Sequence, residues 1–149
     1  MNIQKDFEEF LRLLNAQSAE YVIVGGYAVA FHGYIRTTND LDIFFRSSSE
    51  NIGKIENALE KFGFPKGSVS LEEFYDQGSI IRMGVPPVRI EMINTISGLT
   101  FDEVWANKIS DTYGEVNVSY IGFKDLVKNK RASGRPKDLA DLDELGITD

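Results

Sequence analysis

Apolar residues recur along this chain with two periods, and the alternation between the two predicts most of its elements. Ile3, Phe7, Phe10, Leu11 and Leu14 stand at helical spacing, so an amphipathic helix opens the chain. Tyr21 to Val24 is short, apolar and followed by two glycines, the signature of a buried strand ending in a tight turn. A short helix is expected over Tyr27 to Phe31, closed near Gly33 by a glycine suited to a C-cap. From Asp40 to Arg46 the period is two, with Leu41, Ile43 and Phe45 on one face and Asp40, Asp42 and Phe44 on the other. A Ser-rich turn then leads to a helix carrying Ile52, Ile55, Leu59 and Phe62, stopped by Gly63.

The stretch Phe64 to Gly78 has the weakest periodicity, although Ser70-Leu71-Glu72-Glu73 has the capping-box pattern that starts a helical turn. Ser79 to Met83 and Val88 to Ile93 read as two strands of a hairpin joined through Gly84-Val85-Pro86-Pro87. A second capping box, Thr100-Phe101-Asp102-Glu103, opens a helix containing Trp105, which reads as a core residue rather than a base-stacking platform. Glu115 to Ile121 alternates and is expected to be a further strand, on a sheet edge. The tail is two helices, Lys124 to Ser133 and Pro136 to Leu145, with Gly134 at the break and Pro136 in the first helical position. No repeat, low-complexity segment or long linker divides the 149 residues, so one domain is expected over 1–149.

Composition narrows the function classes. No apolar run is long enough to span a bilayer, so no membrane partner is expected. The start Met1-Asn2-Ile3-Gln4-Lys5-Asp6 has neither the basic nor the apolar region of a secretory signal. The absence of cysteine excludes disulfides and thiolate–zinc sites and makes a cytoplasmic address the default. A net charge of −7 argues against indiscriminate coating of nucleic acid. Positive charge is nevertheless concentrated, because six of the sixteen Lys and Arg residues fall between Lys124 and Lys137.

The most informative chemistry lies between residues 25 and 42. Gly25-Gly26 ends the first strand, and after thirteen intervening residues comes Asp40-Leu41-Asp42. Aspartates two positions apart on a strand share a face, roughly 6–7 Å apart along the chain. Such a pair repels unless a cation intervenes, and Mg²⁺ prefers hard oxygen ligands while keeping positions open for phosphate oxygens. Glycines at a strand-to-helix junction supply backbone N–H groups that suit a polyphosphate.

Gly25-Gly26 followed by Asp40-Leu41-Asp42-Ile43 resembles the polymerase-beta-like minimal nucleotidyltransferase superfamily. The longer strings Gly25-Gly26-Tyr27-Ala28-Val29-Ala30-Phe31-His32-Gly33 and Arg36-Thr37-Thr38-Asn39-Asp40-Leu41-Asp42 are similar to its small bacterial and archaeal members of unassigned substrate. They also resemble the nucleotidyltransferase toxins of abortive-infection systems. Lys130-Arg131-Ala132-Ser133-Gly134-Arg135-Pro136-Lys137-Asp138-Leu139-Ala140-Asp141-Leu142 is similar to a second motif of that group.

The resemblance implies an α+β fold, a small mixed sheet with helices mainly on one face. It implies transfer of a nucleoside monophosphate from an NTP to a hydroxyl acceptor, with pyrophosphate released. Asp40, Asp42 and a third carboxylate would hold Mg²⁺, or Mn²⁺ in its stead. The candidate for the third is Glu91, a departure from the usual aspartate that leaves a simple Glu91–Arg89 pairing as the other reading. Gly25, Gly26, Arg36, Lys130 and Arg135 would bind nucleotide, Thr37 and Thr38 would support the Arg36 loop, and Asp138 would orient the lysine. His32, the only histidine, reads as a helix-end or packed ring, with a nucleotide contact as the alternative. Asp141 reads as structural. The acceptor is left open between an RNA end, a protein side chain and a small molecule. Two other readings stand beside the enzyme: a nucleotide-binding module without turnover, and a toxin–antitoxin partner protein.

Overall fold

The computed structural model describes residues 3–36 and 38–147; the Met1-Asn2 start and the supporting role expected of Thr37 lie outside the described residues. Its elements in chain order are α1 (Lys5–Ala16), β1 (Tyr21–Val24), α2 (Gly25–Phe31), β2 (Asp40–Phe45), α3 (Ser49–Phe62), α4 (Leu71–Tyr75), β3 (Ile80–Met83), β4 (Arg89–Ile93), α5 (Phe101–Ala106), β5 (Ile109–Tyr113), β6 (Val116–Tyr120), α6 (Phe123–Ser133) and α7 (Pro136–Glu144). The six strands form one mixed sheet in the order β3-β4-β2-β1-β6-β5. β1 runs parallel to β6 and β2 parallel to β4, while the other neighbours are antiparallel. This is the α+β class that the sequence predicts.

Strand alternation sorts the core onto two faces. Tyr21, Ile23, Leu41, Ile43, Phe45, Ile90 and Met92 point to one face, where Phe7, Phe10, Leu11 and Leu14 of α1 and Ile52, Ile55 and Leu59 of α3 cover them. Phe74 of α4 joins the same cluster. The expectation of helices on one face describes α1, α3 and α4. The opposite face is also apolar over part of its area, and Val22, Val24 and Phe44 meet Ala28 and Val29 of α2, Val104 of α5 and Leu126 of α6. Helices therefore line both faces, because Phe44 and the even-numbered positions of β1 are apolar as well.

The remaining differences have local causes. α2 begins at Gly25 rather than Tyr27, so the glycines are its first helical residues. β6 is an inner strand, between β1 and β5, rather than an edge. The edge on that side is β5, whose Ile109 to Thr112 are exposed and carry no alternating pattern; only its Tyr113 is buried. Four caps read from the sequence are made: Ser70 and Thr100 accept from the N–H of Glu73 and Glu103, and Gly63 and Gly134 close α3 and α6 in the left-handed conformation, while α2 is capped by His32, one residue before the expected Gly33. Among the described residues no helix is long and apolar enough to cross a membrane.

Candidate active site

On the second face the polar half of β2 is left open where the apolar half is covered. Asp40 and Asp42 precede Phe44 on that face, and they border a cleft of about 840 Å³. Its walls come from β2, β3, β4, the first turn of α2, the end of α6 and the start of α7. Asp40, Asp42, Glu91, Gly25, Lys130 and Arg135 all line it. Segments far apart in the chain are thus brought to one place by the sheet order.

Register fixes the carboxylates. Asp42 lies between Val24 of β1 and Glu91 of β4, directly opposite each, and Asp40 lies opposite Arg89. A Cβ on Gly25 would overlap Asp42 Oδ2 and lie 2.8 Å from its Cγ, and Gly25 sits at φ +68°. Glycine is required there twice over, for backbone conformation and for the carboxylate stacked against it. Gly26 is close-packed differently: its absent Cβ would meet Thr38 Oγ1 at 2.6 Å and Thr38 Cβ at 2.9 Å. Gly25 therefore lines the cleft, while Gly26 is buried under the loop that follows α2.

The carboxylates carry an electrostatic conflict. Burial, then Glu91, then Asp40 push the Asp42 carboxyl up to about 7, against a smaller lowering by Lys137 and Lys130. The conflict is relieved at the other two by arginines. Arg89 Nε donates to Asp40 Oδ1 at 2.7 Å and its Nη2 to Oδ2 at 3.1 Å, a two-pronged pairing. The same Nη2 lies 3.5 Å from Glu91 Oε1, and Arg82 Nε donates to that oxygen at 3.2 Å. Among the described residues no group of three His, Cys, Asp or Glu converges as a ready ligand set. By donor chemistry Asp42 and Glu91 fit a hard divalent cation, since they are oxygen donors on facing strand positions and Glu91 repels Asp42. Asp40, the third carboxylate of the cleft, is held by Arg89.

The second predicted motif folds into a buried ionic cluster. Lys130 is only 4% exposed, and its Nζ lies 3.1 Å from both Asp138 Oδ1 and Asp141 Oδ2. Asp138 is fully buried and also accepts from Ser133 Oγ at 2.6 Å and Arg135 Nε at 2.8 Å. Burial would raise its carboxyl, but hydrogen bonds from Arg135, Ser133 and Lys130 outweigh burial and hold it well below the usual carboxylate range. Arg36 reaches Asp141 with Nε at 3.0 Å and Nη2 at 3.2 Å. That contact ties the loop after α2 to α7, and Arg36 does not line the cleft. His32 does not line it either: its Nε2 lies 2.7 Å from the Ile121 carbonyl, which can only accept, and its ring packs on Phe31 and Phe123.

Residues that the sequence reading passed over also line the cleft. Arg82 was hidden because its role depends on hairpin register, which sets it opposite Glu91; the Pro86-Pro87 turn signalled the hairpin without the register. Arg89 was visible only as a neighbour of Glu91. Lys137 lines the cleft and is the first of the cations lowering Asp42. Five cationic and three acidic side chains face this space, in a chain whose overall charge is −7.

The whole chain, residues 1–149, matches the model of a family described as "Nucleotidyltransferase of unknown function (DUF6036)". A comparison with curated proteins gives no match.

Proposed function

We propose, from the premise that this chain belongs to the DUF6036 family of nucleotidyltransferases of unknown function, that it moves a nucleoside monophosphate from an NTP to a hydroxyl acceptor. The observation that carries this reading is the cleft itself, where Asp42 is wedged between Gly25 and Glu91 under a rim of cationic side chains. In the proposed step the acceptor oxygen forms a bond to the α-phosphorus, the bond to the β-phosphate's bridging oxygen breaks, and pyrophosphate leaves with that oxygen. The hydroxyl proton passes to solvent.

Asp40, Asp42 and Glu91 would hold Mg²⁺ or Mn²⁺, which when bound supplies charge neutralisation and polarisation of the phosphoryl oxygens. The other roles belong to the chain. Arg135 and Lys137 offer charge to the β- and γ-phosphates, and Gly25 lets backbone N–H groups at the start of α2 approach them. Lys130, though on the cleft wall, spends its ammonium on Asp138 and Asp141, so it supports the rim and adds charge at a distance. Positioning and fixed charge would do most of the work, as is usual in phosphoryl chemistry.

A module that binds nucleotide without turnover is the second reading, favoured by the arginines that already satisfy Asp40 and Glu91. One experiment separates the two: incubate the protein with each α-labelled NTP, Mg²⁺ and a cell lysate, and follow both labelled acceptor and pyrophosphate. Transfer that disappears in a well-folded Asp42→Asn protein supports the enzyme, and binding by calorimetry without pyrophosphate supports the module. Full transfer by Asp42→Asn removes the assignment of the site.

A further inference from the structure

The pairing of Arg89 is a product of strand register rather than of chance surface contact. Opposite residues in a parallel ladder project to the same side, so Arg89 facing Asp40 and Glu91 facing Asp42 places one guanidinium among three carboxylates. Its Nη2 is shared, donating to Asp40 Oδ2 at 3.1 Å while lying 3.5 Å from Glu91 Oε1. Arg82 takes Glu91 from the neighbouring strand. Asp42, between them, is repelled by both acidic neighbours, and among the described residues no arginine hydrogen bond to it is seen. The Arg89 side chain is 31% exposed and opens onto the cleft, so it has room to turn away.

We infer that Arg89 is an exchangeable counter-cation: its guanidinium pairs with Asp40 and lies against Glu91, carboxylates that would hold a divalent ion, and it passes to phosphate oxygens when they do so. This rests on the proposed ligand role of Asp40, Asp42 and Glu91. The two partners compete because a forked arginine uses the outward lone pairs of both Asp40 oxygens, and Mg²⁺ accepts little departure from octahedral oxygen geometry. The displaced guanidinium stays in a cleft whose rim also carries the exposed cations Arg135 and Lys137. An ion arriving alone therefore loses the Arg89–Asp40 pairing without replacement. An ion arriving with a polyphosphate regains it, and the two ligands bind with positive coupling.

Removing the guanidinium should have opposite effects on the ion alone and on the ion with its anion, which a merely structural arginine would not produce. The full chain is titrated with Mn²⁺, free ion being read by electron paramagnetic resonance, and separately by calorimetry with a preformed complex of Mn²⁺ and inorganic tripolyphosphate. Arg89→Gln should bind Mn²⁺ about three- to tenfold more tightly than the parent, and the tripolyphosphate complex more weakly by a similar factor. Arg89→Lys, which keeps charge but cannot fork, should fall between, and it gives the same comparison if thermal melting shows that Arg89→Gln is unfolded. Mn²⁺ affinity that is unchanged or weaker in the Arg89 variants but lost in Asp42→Asn overturns the counter-cation and leaves the metal site standing. Tighter Mn²⁺ binding with no loss for the complex overturns the passage to phosphate. If Asp42→Asn binds Mn²⁺ as the parent does, the ligand assignment fails, and this inference fails with it.

Discussion

Asp42 sits in the middle of the sheet at the mouth of the cleft, flanked by a glycine that cannot be anything else and by a second carboxylate. Its carboxyl is pushed up to about 7 from an ordinary 3.8 by burial, Glu91 and Asp40. A folded-state value above the unfolded one means that the folded chain holds this proton more tightly. Stability from this group is full below about pH 4 and is lost as pH rises towards 7, with an upper bound of about 4 kcal/mol. Asp42→Asn, measured in a chelator, should therefore melt near the parent at about pH 4 and several degrees above it at pH 8. A difference that stays flat with pH would show that Asp42 ionises normally. Gly25→Ala should do the reverse: a Cβ driven into Asp42 at φ +68° costs at least the roughly 1–2 kcal/mol of the left-handed conformation, and more from the overlap. Its melting temperature should fall, with loss of Mn²⁺ binding. Survival of both at parental level would mean that the backbone shifts without moving the carboxylate. Both residues were legible in the sequence, because glycines after an apolar strand and a period-two aspartate pair are local signals. The partners of Asp40 and Glu91 were not, since they follow from which strands pair and in what register.

At the scale of elements, α6 and α7 are held together by charge as much as by apolar contact. Lys130 sits between two buried aspartates, one of them reaching back to Arg36, so one ammonium joins two helices and the loop before β2. This changes what a mutation there should do. Lys130→Ala leaves Asp138 and Asp141 buried with less compensation and should cost about 3–5 kcal/mol in denaturant unfolding. Arg135, with a side chain 61% exposed, should cost no more than about 1 kcal/mol on truncation. Equal losses would mean that the cluster is more hydrated than its burial indicates. The helices themselves were predictable from Gly134 and Pro136, and the capping boxes located α4 and α5 to the residue. β5 was missed because an edge strand with four exposed positions has no hydrophobic rhythm. The usable signal was the two-residue Gly114-Glu115 connection between Tyr113 and Val116, which pairs those residues across a hairpin.

The whole molecule concentrates opposite charge in one place. A chain of net charge −7 turns five cations and three carboxylates into a single cleft, drawing them from β2, β3, β4, α6 and α7. No window of sequence shows this. The cluster of positive charge from Lys124 to Lys137 was visible, but only the α6–α7 turn decides which members face the carboxylates. Lys124, Lys128 and Arg131 border a different groove, with Phe123 and Val127, while Arg135 and Lys137 face Asp42. Lys137 is the sharper test of the two, since it stands first among the charges that lower Asp42, and no ion pair within the fold would be lost with it among those seen for the described residues. Lys137→Ala should leave thermal stability nearly unchanged and weaken binding of inorganic tripolyphosphate by up to about tenfold at low salt. The gap between variant and parent should narrow as salt is raised, because an exposed cation acts through a screened field. Lys124→Ala, on the other groove, should leave tripolyphosphate affinity within about twofold of the parent. If both lysines matter equally, the anion is drawn by the general field of the C-terminal helices. A loss confined to Lys137 places the phosphate chain against the carboxylates, where the proposed transfer requires it.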